Sequence, residues 1–169
     1  TRLMAYSNEL TSLDVSSNTA LTQLNCSQNQ LTSLNVSSNT ALTILECRSN
    51  ELTSLDVSSN TSLTGLHCWN NQLTALDVSS NTSLTGLYCY NNELVHLNMK
   101  NGVTNQLIDF YATNNSLTCI ETLDPFWATE NWTYENGNID EGVEFSVVCV
   151  PEGYTYVPDN NFEQALIDL

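Results

Sequence analysis

Residues 10–93 read LTSLDVSSNTA LTQLNCSQNQ, LTSLNVSSNTA LTILECRSNE, LTSLDVSSNTS LTGLHCWNNQ, LTALDVSSNTS LTGLYCYNNE. Each of the four copies is 21 residues long and divides into an 11-residue half and a 10-residue half. We name these the V half, after Val15, Val36, Val57 and Val78, and the C half, after Cys26, Cys47, Cys68 and Cys89. A weaker fifth unit follows at residues 94–116, and Thr1–Glu9 fits the end of a C half. Both halves obey Leu-x-x-Leu-x-(Val/Cys)-x-x-Asn. Around the second Leu the side chains alternate apolar and polar with a period of two, which is the pattern of a short strand. Eleven residues leave no room for a helix between strands. Each coil is therefore predicted to carry two short parallel strands, one on each of two sheets set back to back. Asn closes every half, at Asn18, Asn29, Asn39, Asn50, Asn60, Asn71, Asn81 and Asn92. An inward amide at a tight turn bonds neighbouring backbone, so two Asn ladders are expected.

Leu-x-x-Leu-x-Leu-x-x-Asn is the defining segment of leucine-rich repeats, and two of them nested in 21 residues resemble the short bacterial class called IRREKO. The resemblance covers Thr1 to about Asn115, with Cys in place of Leu in every second half. It implies a mainly β, leucine-rich-repeat solenoid and a binding scaffold, and it names no partner. The chain opens inside a coil, so we expect it to be a piece of something longer.

Charge narrows the function. The 169 residues hold 19 Asp and Glu against 3 Lys and Arg, a net charge of −16. Phosphate-backbone binding needs clustered cations, so nucleic acid is excluded as a partner, and so is an anionic membrane surface. No apolar run reaches the roughly 18–20 residues of a membrane span. The acidity and the shortage of Lys predict a secreted protein, and the resemblance implies an extracellular or bacterial cell-surface location. Only two histidines exist, His67 and His96, and no catalytic, metal or nucleotide motif surrounds them. A non-enzyme without cofactor or metal is expected.

Three domains are read from the pattern: the array over 1–115, a C-terminal cap over 116–150, and a linker with a helix over 151–169. The cap resembles the closing segment of bacterial surface leucine-rich-repeat proteins, with Phe126, Trp127 and Trp132 as its core. The last segment resembles the start of another repeat block. Its helix begins near Pro158 and Asp159 and has Phe162, Ala165, Leu166 and Leu169 on one face. Cys26, Cys47, Cys68 and Cys89 point inward one coil apart, which holds their Cβ atoms about 4.8 Å apart, above the roughly 3.5–4.5 Å a disulfide needs, so they are read as free core thiols. Cys119 and Cys149 stand outside that row. A bridge between them closes a 30-residue separation, contributes about 3–4 kcal/mol in the chain-entropy model and marks an oxidising compartment.

Comparison of the copies locates the candidate site. Outward V-half positions scarcely change: Asp14, Asn35, Asp56, Asp77 and Asn98, each but the last followed by Ser-Ser. The three carboxylates of that file either hold a cation such as calcium or form a solvated acidic face, and the second is preferred. Outward C-half positions vary. The first runs Met4, Asn25, Glu46, His67, Tyr88, Tyr111, and the second runs Tyr6, Ser27, Arg48, Trp69, Tyr90, Thr113. Arg48, His67, Trp69, Tyr88, Tyr90 and Tyr111 therefore form the candidate ligand-binding patch. The expected function is adhesion or recognition of a protein or carbohydrate. The alternatives are a structural spacer in a tandem array and, more remotely, ice binding through the Thr files. End-to-end self-association is a further expected contact.

Overall fold

The computed structural model describes residues 1–150; the predicted helix over 151–169 lies outside them. Ten three-residue strands and one α-helix follow in chain order, with a short 3-10 turn at Thr104–Gln106: β1 (Arg2–Met4), β2 (Gln23–Asn25), β3 (Ile44–Glu46), β4 (Gly65–His67), β5 (Ala75–Asp77), β6 (Gly86–Tyr88), β7 (His96–Asn98), β8 (Asp109–Tyr111), β9 (Cys119–Glu121), α1 (Pro125–Asn131) and β10 (Glu144–Ser146). The C halves build a six-stranded parallel sheet in the order β1-β2-β3-β4-β6-β8. Its register places Leu3, Leu24, Leu45, Leu66, Leu87 and Phe110 in one inward row.

The V side departs from two strands per coil. Its sheet, β10-β9-β7-β5, holds only four strands and begins at Ala75. The V segments at Leu13–Val15, Leu34–Val36 and Leu55–Val57 are not strands. Cross-coil bonds on that side come from side chains instead: Asn39 Nδ2 donates to the carbonyls of Val15 (3.0 Å) and Asn18 (2.9 Å), and Asn60 repeats this on Val36 and Asn39. The outward carboxylate or amide supplies the rest. Asp14, Asn35 and Asp56 accept from the N–H of Ser16, Ser37 and Ser58, so no ladder is needed to satisfy those donors. Exposure of the inward Leu row records the opening: 8% at Leu34, 7% at Leu55, 3% at Leu76, 2% at Leu97 and 0% at Ile120.

The second Asn ladder is also present. Asn50 Nδ2 donates to the Cys26 and Cys47 carbonyls, and its Oδ1 accepts from the Leu31 N–H. Between the ladders the Leu, Val and Cys rows form one continuous core. The four ladder thiols are free and buried. Burial raises all four, to about 12 for Cys26 and Cys89, and well above the ordinary value for Cys47 and Cys68.

Strand pairing passes residue 115 without a break, since β9 pairs with β7 and with β10. The C sheet ends differently. Asn138 closes its last edge, accepting from the Ala112 N–H and donating to the Phe110 carbonyl, each at 2.8 Å. Trp132 lies buried on Phe110 at 4.5 Å, with Trp127 edge-on to it at 5.4 Å. Phe126 corrects the predicted cap core. It is 75% exposed, because Asp124 caps α1 and Pro125 starts it, which turns Phe126 outward while Ala128 is buried. A Cys119–Cys149 disulfide ties the closing segment to β9, with Cα atoms 5.7 Å apart.

Candidate functional site

Outward residues of the C sheet stand in columns because each coil repeats in register. In the first column His67 meets Tyr88 at 4.5 Å, and Tyr88 stacks on Tyr111 at 5.4 Å with an interplanar angle of 23°. In the second, Trp69 stacks on Tyr90 at 5.0 Å and 13°, while the Arg48 guanidinium lies 5.0 Å over the other face of Trp69. The six residues singled out by their variation are thus brought together. Pairing on each other leaves them half-buried, with Tyr111, at the end of its column, 36% exposed. Ser27 differs from its expected place: it is wholly buried, and its hydroxyl has no partner.

A third outward column, which comparison of the other two overlooked, completes the face: Gln23, Ile44, Gly65, Gly86, Asp109. Its signal was the same variation between copies, one position before the second Leu. Of its two glycines only Gly65 makes room that a side chain would fill. A Cβ on Gly86 would stand 3.5 Å from Tyr88 Cε2, and one on Gly65 would come 3.0 Å from Ile44 Cδ1.

Burial lowers the His67 pKa; Glu46 and Asp109 oppose this, and Arg48 adds to it. Burial raises the Tyr88 phenol, and the Asp109 carboxylate beside it pushes the same way.

The V face carries a cleft of about 580 Å³, lined in part by Ser54, Asp56, Asp77, His96, Glu121 and Cys149. Its acidic groups are largely engaged within the fold. Asp77 accepts from Ser79 and Asn98, and Glu121 accepts from Lys100 at 2.6 Å and from the Cys149 N–H. Burial would raise both carboxyls, but these partners hold them below the usual range. Among the described residues no cluster of three or more potential metal ligands occurs. The C-half Thr file also has a structural use: Thr22, Thr43, Thr64 and Thr85 hydroxyls donate to the Thr carbonyl one coil earlier. No helix among the described residues is long and apolar enough to cross a membrane.

No family model and no curated protein matches the chain in sequence. Solved structures do. The functional domain of InlJ from Listeria monocytogenes, described as including a cysteine ladder, is 29% identical with a TM-score of 0.54 over 72% of this chain and 34% of that one. The Leptospira interrogans leucine-rich-repeat protein LIC12759 is 25% identical with a TM-score of 0.60 over 69% of this chain and 32% of that one. The chain therefore spans about a third of the length of each. With parallel strands one coil apart every 21 residues and these bacterial proteins as its structural neighbours, the chain has the leucine-rich-repeat solenoid fold.

Proposed function

We propose that the protein is a non-catalytic extracellular binding or adhesion module that recognises a protein or a carbohydrate through its C sheet. The observation that carries this reading is the concentration of Arg48, His67, Trp69, Tyr88, Tyr90 and Tyr111 in two adjoining columns of one sheet. Their counterparts on the V face repeat Asp or Asn followed by Ser almost unchanged. Large rings on a solvent-facing sheet favour interfaces, where Tyr, Trp and Arg dominate binding energy. The Cys119–Cys149 disulfide supports an oxidising location. Alanine substitution at Trp69 and at Tyr90 tests the reading: each lowers partner affinity by about 1–2 kcal/mol, while Ser58→Ala and Ser79→Ala leave it unchanged.

A second reading has its own observation. Because each ring packs on the ring of the next coil, the columns also stabilise the stack, as cross-strand aromatic pairs do. On that reading the chain is a spacer in a surface protein. It prevails if the aromatic substitutions lower the melting temperature and leave every detected interaction intact.

A further inference from the structure

We infer, resting on the C sheet as the recognition face, that its partner is a polypeptide segment bearing Lys or Arg and not a carbohydrate. Centroid separations of 4.5–5.4 Å are closer than two coplanar rings can approach edge to edge. Trp69 with Tyr90, and Tyr88 with Tyr111, therefore stand on the sheet with their faces turned to one another along the solenoid axis, while His67 is tilted at 46° to Tyr88. Tyr88 stacks on Tyr111 and is crowded by the tilted His67 ring at 4.5 Å. Trp69 has Tyr90 on one face and the Arg48 guanidinium on the other. A pyranose ring stacks on an open aromatic face, and these two central rings offer none. They turn their edges outward, with the partly positive C–H rim of the ring as donor. Backbone carbonyls of a polypeptide suit such donors.

Charge decides the rest of the partner's chemistry. Of the three Lys and Arg residues, Arg48 lies over Trp69, Lys100 pairs with Glu121 on the V side, and Arg2 sits in β1 at the far end of the sheet. The aromatic columns are bordered by Glu46 and Asp109 in neighbouring coils. A chain of net charge −16 with those carboxylates beside its rings attracts and orients a cationic segment.

The test uses the full chain against two immobilised arrays, one of glycans and one of peptides rich in Lys and Arg with matched neutral and acidic peptides. Basic peptides are expected to bind, with affinity falling as salt rises. That binding should drop tenfold or more in Trp69→Ala and several-fold in the Glu46→Gln, Asp109→Asn double variant. Glycan binding lost in Trp69→Ala overturns the inference and leaves the recognition face standing. Equal binding of neutral or acidic peptides overturns the assignment of charge. Basic-peptide binding unchanged in Trp69→Ala and Tyr90→Ala places the contact elsewhere and overturns both, as does the absence of any binding.

Discussion

Asn60 donates to the carbonyl of Asn39, 21 residues earlier, at 2.9 Å, and the same amide nitrogen reaches the Val36 carbonyl at 3.0 Å. On the V side, where the first coils lack a strand ladder, this side chain does what backbone pairing does on the other face. Asn60→Ala removes two buried bonds, while the Val36 and Asn39 carbonyls keep the turn N–H groups of Asn39 and Leu42 as donors. It also relieves an Asn60 Oδ1 that has no partner. The balance is a loss of about 1–3 kcal/mol, read as a lower urea midpoint. Asn18→Ala, at an exposed position, should cost less than about 0.5 kcal/mol. Equal costs would show that the ladder contributes nothing to stability.

Leu66 is fully buried between coils, whereas Leu13 is only half-buried in the first V segment. Leu66→Ala is expected to destabilise by about 2–5 kcal/mol through the cavity it leaves. Leu13→Ala should cost less than half as much. Chemical denaturation of both variants measures the difference.

The ladder thiols make stability depend on alkaline pH. Burial holds Cys26 and Cys89 at about 12 in the folded chain against an ordinary 9.0. The folded state thus keeps protons that the unfolded chain releases. Their stabilising contribution is complete below pH 9 and is lost as pH rises from 9 towards 12. Each such thiol makes unfolding free energy fall by about 1.4 kcal/mol per pH unit in that window. Cys89→Ala should flatten the slope by one thiol's share. In neutral buffer a thiol reagent should find no reactive sulfhydryl in the native protein and about four after denaturation without reductant. A count near zero after denaturation would mean the ladder is bridged.

Trp69 and Tyr90 should be energetically coupled. A double-mutant cycle with Trp69→Ala and Tyr90→Ala is expected to give about 0.5–1.5 kcal/mol of interaction energy in the unfolding free energy. Both side chains are half-buried by their mutual contact, so each single substitution also lowers stability modestly. A coupling of zero would mean that the stacking geometry has no energetic weight in solution.

Periodicity made the coils, the inward rows, both Asn ladders and the free thiols legible, because each follows from one residue type recurring at one spacing. The V segments at Leu13, Leu34 and Leu55 were not distinguishable from Ala75–Asp77 by pattern, since all read Leu-(Asp/Asn)-Val. Whether such a segment joins a ladder depends on its distance from the next coil, which no local pattern encodes. Phe126 misled because an aromatic after the array suggests a lid, while its direction is set by where Asp124 caps the helix. Ser27 was assigned outward by alternation and is covered by its surroundings. The six variable C-half residues were found by comparing copies. Their stacking was not, because it needs the coil spacing and the side-chain rotamers together.

The unequal pairing of the two faces has a mechanical meaning. On the C side, each strand from β1 to β8 is bonded to the next, so that face resists stretching along the stack. On the V side the first coils are joined by Asn amide arms and by one backbone bond at each corner, such as Gln30 N–H to the Leu10 carbonyl, so that face should yield more readily under load. A rod built this way bends about its unyielding face, as a book flexes about its spine. The spacing between Trp69 and Tyr90 sits on that spine. It is conserved while the pages fan, so whatever grips those rings meets the same geometry whether the array is straight or curved.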